Sequence, residues 1–350
     1  MLLINEIRRQ NHALAVEIQT AVARVLERGW YILGPEVEAF EREFADYCGV
    51  HLCVGVANGT DALELALRAL DLPSGSRVLT VANAGGYSST AILAAGLTPV
   101  YADVDAVAMT MQPTSADVRA VIVTHLYGRM AAMPSILAAA GGVPVIEDCA
   151  QAHGAVLEGR KAGSWGTIGC FSFYPTKNLG ALGDGGAVVT RDPALATRLK
   201  ELRQYGWRSK YKSEVAGGRN SRLDEIQAAI LRAKLPHLDQ WNRRRREIAS
   251  RYNEAMRDLT LTTPLVDDAY VAHLYVVRSA ERDRIRQALA AAGFATNVHY
   301  PVPDYSQPSM VSAYKLPVTE ECCGSVLTLP CFPELTNYEL ARVADAVRSA

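Results

Sequence analysis

Near the start of the chain, apolar residues recur at helical spacing (Leu14, Ile18, Val22, then Val25 with Leu26), and the run stops at Gly29. That periodicity predicts an amphipathic first helix. A second helix is expected over 36–47, with Val37, Phe40, Phe44 and Tyr47 on one side. The turn between them, Trp30-Tyr31-Ile32-Leu33-Gly34-Pro35, is aromatic; either it reaches a functional site, with Tyr31 as the contact, or its rings pack the turn. A short apolar strand over 54–57 breaks at Asn58-Gly59. Thr60 is placed to cap the next helix, whose buried stripe is Leu63, Leu67 and Leu70.

From residue 78 onward, strand and helix patterns alternate. Strand 78–81, a turn of small residues from Asn83 to Tyr87, helix 88–95 and strand 99–103 form one unit. Strand 121–124 and helix 133–140 form another, and strand 143–147 delivers Asp148. Units of this length predict an α/β fold with a mostly parallel sheet flanked by helices on both faces. A further apolar run (Ile168, Cys170, Phe171, Phe173) ends in Tyr174-Pro175, followed by Lys177, a glycine-rich tail, strand 187–190 and helix 193–203. The polar stretch 205–222, with Gly217-Gly218, lone aromatics and basic residues, reads as a loop that closes over an anion. A long helical region begins at Leu223, and its four consecutive arginines, 243–246, read as a solvated face, with a phosphate patch as the alternative. The pattern then changes to a small α+β unit: helix to 257, strand 274–277, helix 281–292, strand 295–299, a proline-rich turn and a last helix 337–348. The chain thus divides into a large domain, 1–247, and a small C-terminal domain, 248–350.

Charge and cysteine usage narrow the classes. With 36 basic and 37 acidic residues in 350, the net charge is -1, which gives no bulk attraction to nucleic acid or an anionic membrane. Seven cysteines include no CxxC pair and no histidine at zinc-ligand spacing, so they read as reduced packing residues of a cytoplasmic protein, with no metal site. Charges interrupt the N-terminal apolar stretch, against a signal peptide, and no apolar run approaches the roughly 18 residues of a membrane span.

The chemistry gathers around Lys177. A lysine beside an apolar strand end, followed by glycines that let a ligand approach the backbone, loses solvation and becomes a usable amine. Such amines form Schiff bases with carbonyl compounds, pyridoxal phosphate among them. That cofactor also needs a carboxylate at its ring nitrogen and a cup for its phosphate. Asp148 ends a strand, where open α/β sheets place ligand chemistry; alone it could cap the next helix, but paired with Lys177, 29 residues on, it reads as the partner of a ring cation. The Asn58-Gly59-Thr60 turn offers helix N–H groups that suit a phosphate.

Six strings, YILGPEVEAFEREFA, ANGTDALELAL, VIEDCAQAHGA, FSFYPTKNLGALGDGGAVVT, NSRLDEIQAAIL and NVHYPVP, run in order over nearly the whole chain. Together they resemble the DegT/DnrJ/EryC1/StrS family of pyridoxal-phosphate-dependent sugar-nucleotide aminotransferases, of the aspartate aminotransferase fold (fold type I). The resemblance implies that Lys177 holds the cofactor covalently and moves a proton, and that Asp148 pairs with the ring nitrogen. Gln151 then lies near the ring hydroxyl, and Gly59, Thr60 and Ser172 form the phosphate cup. It implies further that Asn220 reaches the phosphate from a neighbouring subunit, making a homodimer with shared sites, and that Arg222 and His299 lie near the substrate. Two positions depart from the family pattern. Gly85 stands where an aromatic would stack on the ring, with Tyr87 as the substitute, and Tyr305 stands where many members carry a histidine.

The leading reading is a transaminase that takes the amino group of L-glutamate and passes it to a nucleotide-linked keto-deoxy sugar. The strings VANAGGYSST and HYPVPDY look most like members acting on a dTDP-3-keto-6-deoxyhexose. Two alternatives are a keto-sugar dehydratase using the same cofactor, which in the family replaces the lysine by histidine, and a regulatory protein that binds cofactor or sugar nucleotide without turnover.

Overall fold

The computed structural model describes residues 1–310 and 312–350. The expected first helix is two, α1 (Ile7–Ala13) and α2 (Ala15–Arg28), and Gly29 closes α2 in the left-handed region at φ 68. Helix α3 (Pro35–Cys48) follows and buries Val37, Phe40 and Phe44. Its first turn has no capping side chain of its own. The buried Glu225 carboxylate instead accepts the N–H groups of Gly34, Glu36 and Val37 at 2.8 to 2.9 Å. A side chain at Gly34 would come within 2.9 Å of that carboxylate, so the glycine makes room for the cap.

Strand β1 (Leu52–Val56) leads to α4 (Gly59–Ala69), and then come β2 (Arg77–Val81), α5 (Tyr87–Ala94), β3 (Thr98–Ala102), β4 (Ala120–Thr124), α6 (Met133–Ala140) and β5 (Val145–Asp148). The cap of α4 is Asn58, whose Oδ1 accepts the Asp61 N–H at 2.8 Å; Thr60, expected there, sits inside the first turn. A short ribbon, β6 (Val156–Leu157) with β7 (Arg160–Lys161), precedes β8 (Ile168–Ser172), β9 (Gly186–Thr190) and α7 (Pro193–Leu202). The sheet runs β1-β9-β8-β5-β4-β2-β3, with every neighbour pair parallel except the two made by β9. Both faces are covered, as a parallel sheet requires. One core gathers Phe40, Phe44, Val121, Val145 and Phe171, and the other Leu65, Ile92, Ile122, Ile146 and Leu199.

The stretch expected to be a loop carries a second ribbon, β10 (Trp207–Ser209) with β11 (Lys212–Ser213). Helices α8 (Glu225–Lys234) and α9 (Leu238–Ala255) follow, then β12 (Tyr275–Arg278), α10 (Arg282–Ala291), α11 (Pro317–Ser325), β13 (Val326–Leu329) and α12 (Asn337–Arg348). The strand expected over 295–299 does not form. A single bridge joins Asn297 to Thr328, and the partner of β12 is β13. The arginine run is not one solvated face either. Arg245 is fully buried and donates to the carbonyl of Cys331 at 2.6 Å, while Arg244 donates to that of Leu335 at 2.9 Å. All seven cysteines are free thiols and buried.

Candidate active site

The last residues of three adjacent strands, Thr124 of β4, Asp148 of β5 and Ser172 of β8, line one cavity of about 410 Å³. The carboxyl edge of an open α/β sheet is where such folds bind ligands. Asn58, Gly59 and Thr60 from the start of α4, Tyr87 from α5, and Gln151, Tyr174, Lys177 and Asp184 from loops complete much of the wall.

Asp148 is buried. Its Oδ1 accepts the Ala150 N–H at 3.1 Å and its Oδ2 the Thr124 hydroxyl at 3.4 Å. Burial raises its carboxyl above the usual range, opposed by the Ala150 N–H and by Lys177. Lys177 follows a tight turn closed by its own N–H on the Tyr174 carbonyl at 2.8 Å. Loss of water around the ammonium brings it down to about 8, with Asp148 pulling the other way. Desolvation therefore dominates at both groups, and each is moved toward its neutral form. A lysine near 8 is a competent nucleophile close to neutral pH.

The turn is suspended from several sides. Asn178 donates to Asn242 Oδ1 at 2.8 Å and to the Val271 carbonyl at 3.0 Å, and its Oδ1 meets His273 Nδ1 at 3.1 Å. Gln151 is buried. Its Oε1 accepts the Tyr127 N–H at 2.6 Å, and its Nε2 donates to the Tyr300 hydroxyl at 3.3 Å. The start of α4 abuts β8 so closely that a Cβ on Gly59 would lie 2.6 Å from that of Ser172. Unpaired N–H groups of a helix start beside a serine hydroxyl make a cradle for an anion. Gly59→Ala should push these two elements apart. We expect cofactor affinity to fall at least tenfold by equilibrium dialysis, and the overpacking against Ser172 to cost about 1–3 kcal/mol of stability.

Gly85 and Gly86 turn the chain at φ 80 and 81. A Cβ on Gly85 would lie 2.8 Å from the Tyr300 ring and 3.1 Å from that of Tyr87. The volume an aromatic at 85 would need is thus taken by Tyr300, whose ring meets Tyr87 edge-on at 6.1 Å. Sequence reasoning named Tyr87, which is on the cavity wall, and missed Thr124, Tyr174 and Asp184 there, together with Tyr300, which reaches the site through Gln151. Thr124 was findable as the end of the strand beside Asp148, and Tyr300 lies within the NVHYPVP string already singled out.

Other expected site residues lie elsewhere. Tyr305 is buried with Tyr101 and Tyr314, and its hydroxyl donates to Glu320 at 2.9 Å, so it is not on the wall. It is drawn in by its neighbour: Asp304 donates its N–H to the Ala82 carbonyl at 2.8 Å and accepts the Ser89 hydroxyl at 2.5 Å. His299 lines a second cavity of about 320 Å³ together with Asn5, Thr176 and His273, and its Nδ1 meets the Thr328 hydroxyl at 2.8 Å. Tyr31 and Asn220 are exposed and Arg222 half-buried, all away from the wall within one chain. In the loop expected to meet an anion, Arg219 is already paired with Glu64 and Arg208 with Glu201.

A carboxylate and a lysine with lowered proton affinity face one cavity with a helix N-terminus, at the carboxyl edge of a sheet with one reversed strand. This is the arrangement of a fold type I cofactor enzyme. The model of the DegT/DnrJ/EryC1/StrS aminotransferase family matches residues 12–348. Among named relatives, the dTDP-3-amino-3,4,6-trideoxy-alpha-D-glucose transaminase of Streptomyces venezuelae is 44% identical over 96% of this chain and 92% of its own length. The dTDP-3-amino-3,6-dideoxy-alpha-D-galactopyranose transaminase of Aneurinibacillus thermoaerophilus is 45% identical over 98% and 97%. The solved structure of S. venezuelae DesV in complex with a ketimine intermediate superposes with a TM-score of 0.95 at 42% identity, covering 99% of this chain and 97% of that one. The chain belongs to the DegT/DnrJ/EryC1/StrS aminotransferase family. Its cofactor is pyridoxal 5′-phosphate.

Proposed function

We propose that this protein moves the amino group of L-glutamate to a nucleotide-linked keto-deoxy sugar, a dTDP-3-keto-6-deoxyhexose, and does so as a homodimer with shared sites. The observation that carries the reading is the convergence of Lys177, Asp148 and the Gly59–Ser172 cradle on one cavity. The two relatives named above, both dTDP-3-amino-sugar transaminases, support the choice of sugar.

When bound, pyridoxal phosphate supplies an electron sink and an amino-group carrier. Gly59, Thr60 and Ser172 would hold the phosphate, with charge spread over N–H and hydroxyl donors. Asp148 would keep a proton on the ring nitrogen, and this salt bridge offsets the cost of its burial. Gln151, fixed by Tyr127, would sit at the ring hydroxyl, and Tyr87 with Tyr300 would bound the site beside the ring. Lys177 Nζ would anchor the group and carry a proton to and from the substrate carbon. His299, Arg222 and Tyr31 would face the sugar nucleotide, and Asn220 from a second copy would complete the phosphate site.

The test loads the protein with pyridoxamine phosphate and offers a panel of nucleotide keto sugars. Absorption of the lysine-bound cofactor should return with the dTDP-3-keto-6-deoxyhexose and not with its 4-keto isomer. Return with the 4-keto isomer alone, or with no keto sugar, overturns the assignment.

A further inference from the structure

The N-terminal arm, residues 2–11, touches both the small domain and the turn that carries Lys177. At one end it is zipped to the small domain. Leu2 donates to the Gly293 carbonyl at 2.9 Å and accepts the Ala295 N–H at 2.8 Å, and the Ile4 carbonyl accepts the Cys331 N–H at 3.1 Å. Arg9 adds a two-pronged pair with Glu339 at 2.9 and 2.6 Å. In the middle, Asn5 Nδ2 donates to the carbonyl of Thr176, the residue directly before Lys177, at 3.1 Å. Further on, Asn11 Oδ1 accepts from Lys234 Nζ at 3.1 Å, and the same ammonium donates to the Gly180 carbonyl at 2.9 Å, on the far side of the turn. Lys234 is fully buried and no carboxylate lies within ion-pair distance of it among the described residues. A buried ammonium is costly, and here its two acceptors lie on the arm and the lysine turn.

We infer that the arm is a strap that sets the orientation of Lys177, with Asn5 as its positioning residue. The inference rests on the reading of Lys177 as the cofactor lysine. Among the described residues, Asn5 makes the one direct side-chain hydrogen bond from the arm to the turn, and it grips the peptide unit that carries the lysine. Asn5 and Thr176 both line the second cavity, so their bond spans a space beside the turn and not a packed core. The strap also ties the position of the small domain to that of the lysine, because backbone hydrogen bonds and the Arg9–Glu339 pair fix one end and the Asn5 amide holds the other.

The test uses the cofactor-loaded protein with Asn5→Ala, Asn5→Leu and the conservative Asn5→Gln. Two readouts are followed: the pH midpoint of the visible absorption of the lysine-bound cofactor, and the single-turnover rate of amino transfer from L-glutamate. In Asn5→Ala and Asn5→Leu a slackened turn should let the lysine nitrogen regain solvation, moving the midpoint up by about 0.5 unit. The single-turnover rate should fall about fivefold, the worth of one hydrogen bond, with KM for the sugar nucleotide unchanged. Asn5→Gln, which keeps an amide donor, should recover most of both. An unmoved midpoint and rate in Asn5→Ala and Asn5→Leu, or losses that fall on KM and melting temperature without a spectral change, overturn the inference. Borohydride reduction of the unaltered protein separates the two levels. A label on Lys177 with insensitive Asn5 variants sinks the strap alone, and a label on another residue sinks the functional reading and the strap with it.

Discussion

Lys177→Ala should yield a folded protein that still takes up pyridoxal phosphate but has lost transamination by at least about 10³-fold, since the proposed function makes this residue both the covalent anchor and the proton carrier. The cradle made by α4 and Ser172 remains, so cofactor binding persists without the absorption band of a lysine-bound form. The same amine sets a pH dependence. Burial lowers Lys177 to about 8, so below that pH it is mostly protonated and cannot attack a carbonyl. Uptake of cofactor into covalent form by the stripped protein should therefore speed up about tenfold per pH unit toward 8 and then level off. Asp148→Asn removes the one anion that holds the proton on, and should shift that midpoint lower. Stopped-flow absorbance measures both; a rate flat from pH 6 to 9 would contradict the geometry.

The largest loss of stability is expected from Glu147→Ala, one residue from Asp148. Glu147 is fully buried, and its oxygens accept the N–H groups of Trp165 and Gly166 at 2.7 Å and Gly163 at 3.0 Å. His125 Nε2 meets it at 2.9 Å, and because His125 Nδ1 accepts the Ala131 N–H at 3.2 Å, Nε2 is the donor. Although His125, Glu147 and Cys149 cluster tightly, the N–H donors already occupy both carboxylate oxygens, so the group is a structural knot. Removing the acceptor leaves buried donors unpaired, at a cost of about 3–5 kcal/mol. Set against the roughly 5–15 kcal/mol that holds a domain together, this is a large fraction. Burial alone would raise this carboxyl, but His125 and the N–H groups of Gly166 and Gly163 outweigh it and hold it below 4.5. A carboxyl depressed in the folded state stabilises above its unfolded value and stops doing so as pH falls through the folded one. Denaturant midpoints should accordingly drop below about pH 4.5 in the native chain, and Glu147→Gln should flatten that slope.

Much of this was legible in the residues. Alternating apolar runs and turn residues marked the parallel strands, and Asp148 and Lys177 stood out because a charged group at an apolar strand end is unusual. What escaped was set by contacts distant in the chain. Residues 295–299 read as a strand, yet only Asn297 bridges to Thr328 of β13, because the Ala295 N–H is given to Leu2 of the N-terminal arm, and the partner of β12 is β13. Tyr305 looked like a site residue because the family pattern puts a histidine there, but Asp304 anchors the segment to Ala82 and Ser89 and turns the ring inward. Gly85, expected only as a departure from the family pattern, is required because a ring from the C-terminal segment lies against it. Arg245 could have been found. It falls on the stripe Trp241, Arg245, Ile248, Tyr252, whose spacing is that of one helix face, and a charge-run reading ignores that period.

The seven buried thiols have a practical side. Cys48, Cys53, Cys149 and Cys170 are pushed far above the ordinary thiol range by burial, and Cys322, Cys323 and Cys331 are raised to about 11, 12 and 11. Thiolate is the reactive form, so at neutral pH the native chain is expected to react slowly with maleimides, which a thiol titration of the folded protein checks. A single cysteine introduced at an exposed position such as Tyr211 would therefore accept a fluorophore cleanly, without first stripping the background. Energy transfer between donor- and acceptor-labelled chains then tests whether two copies associate, in an otherwise unaltered molecule.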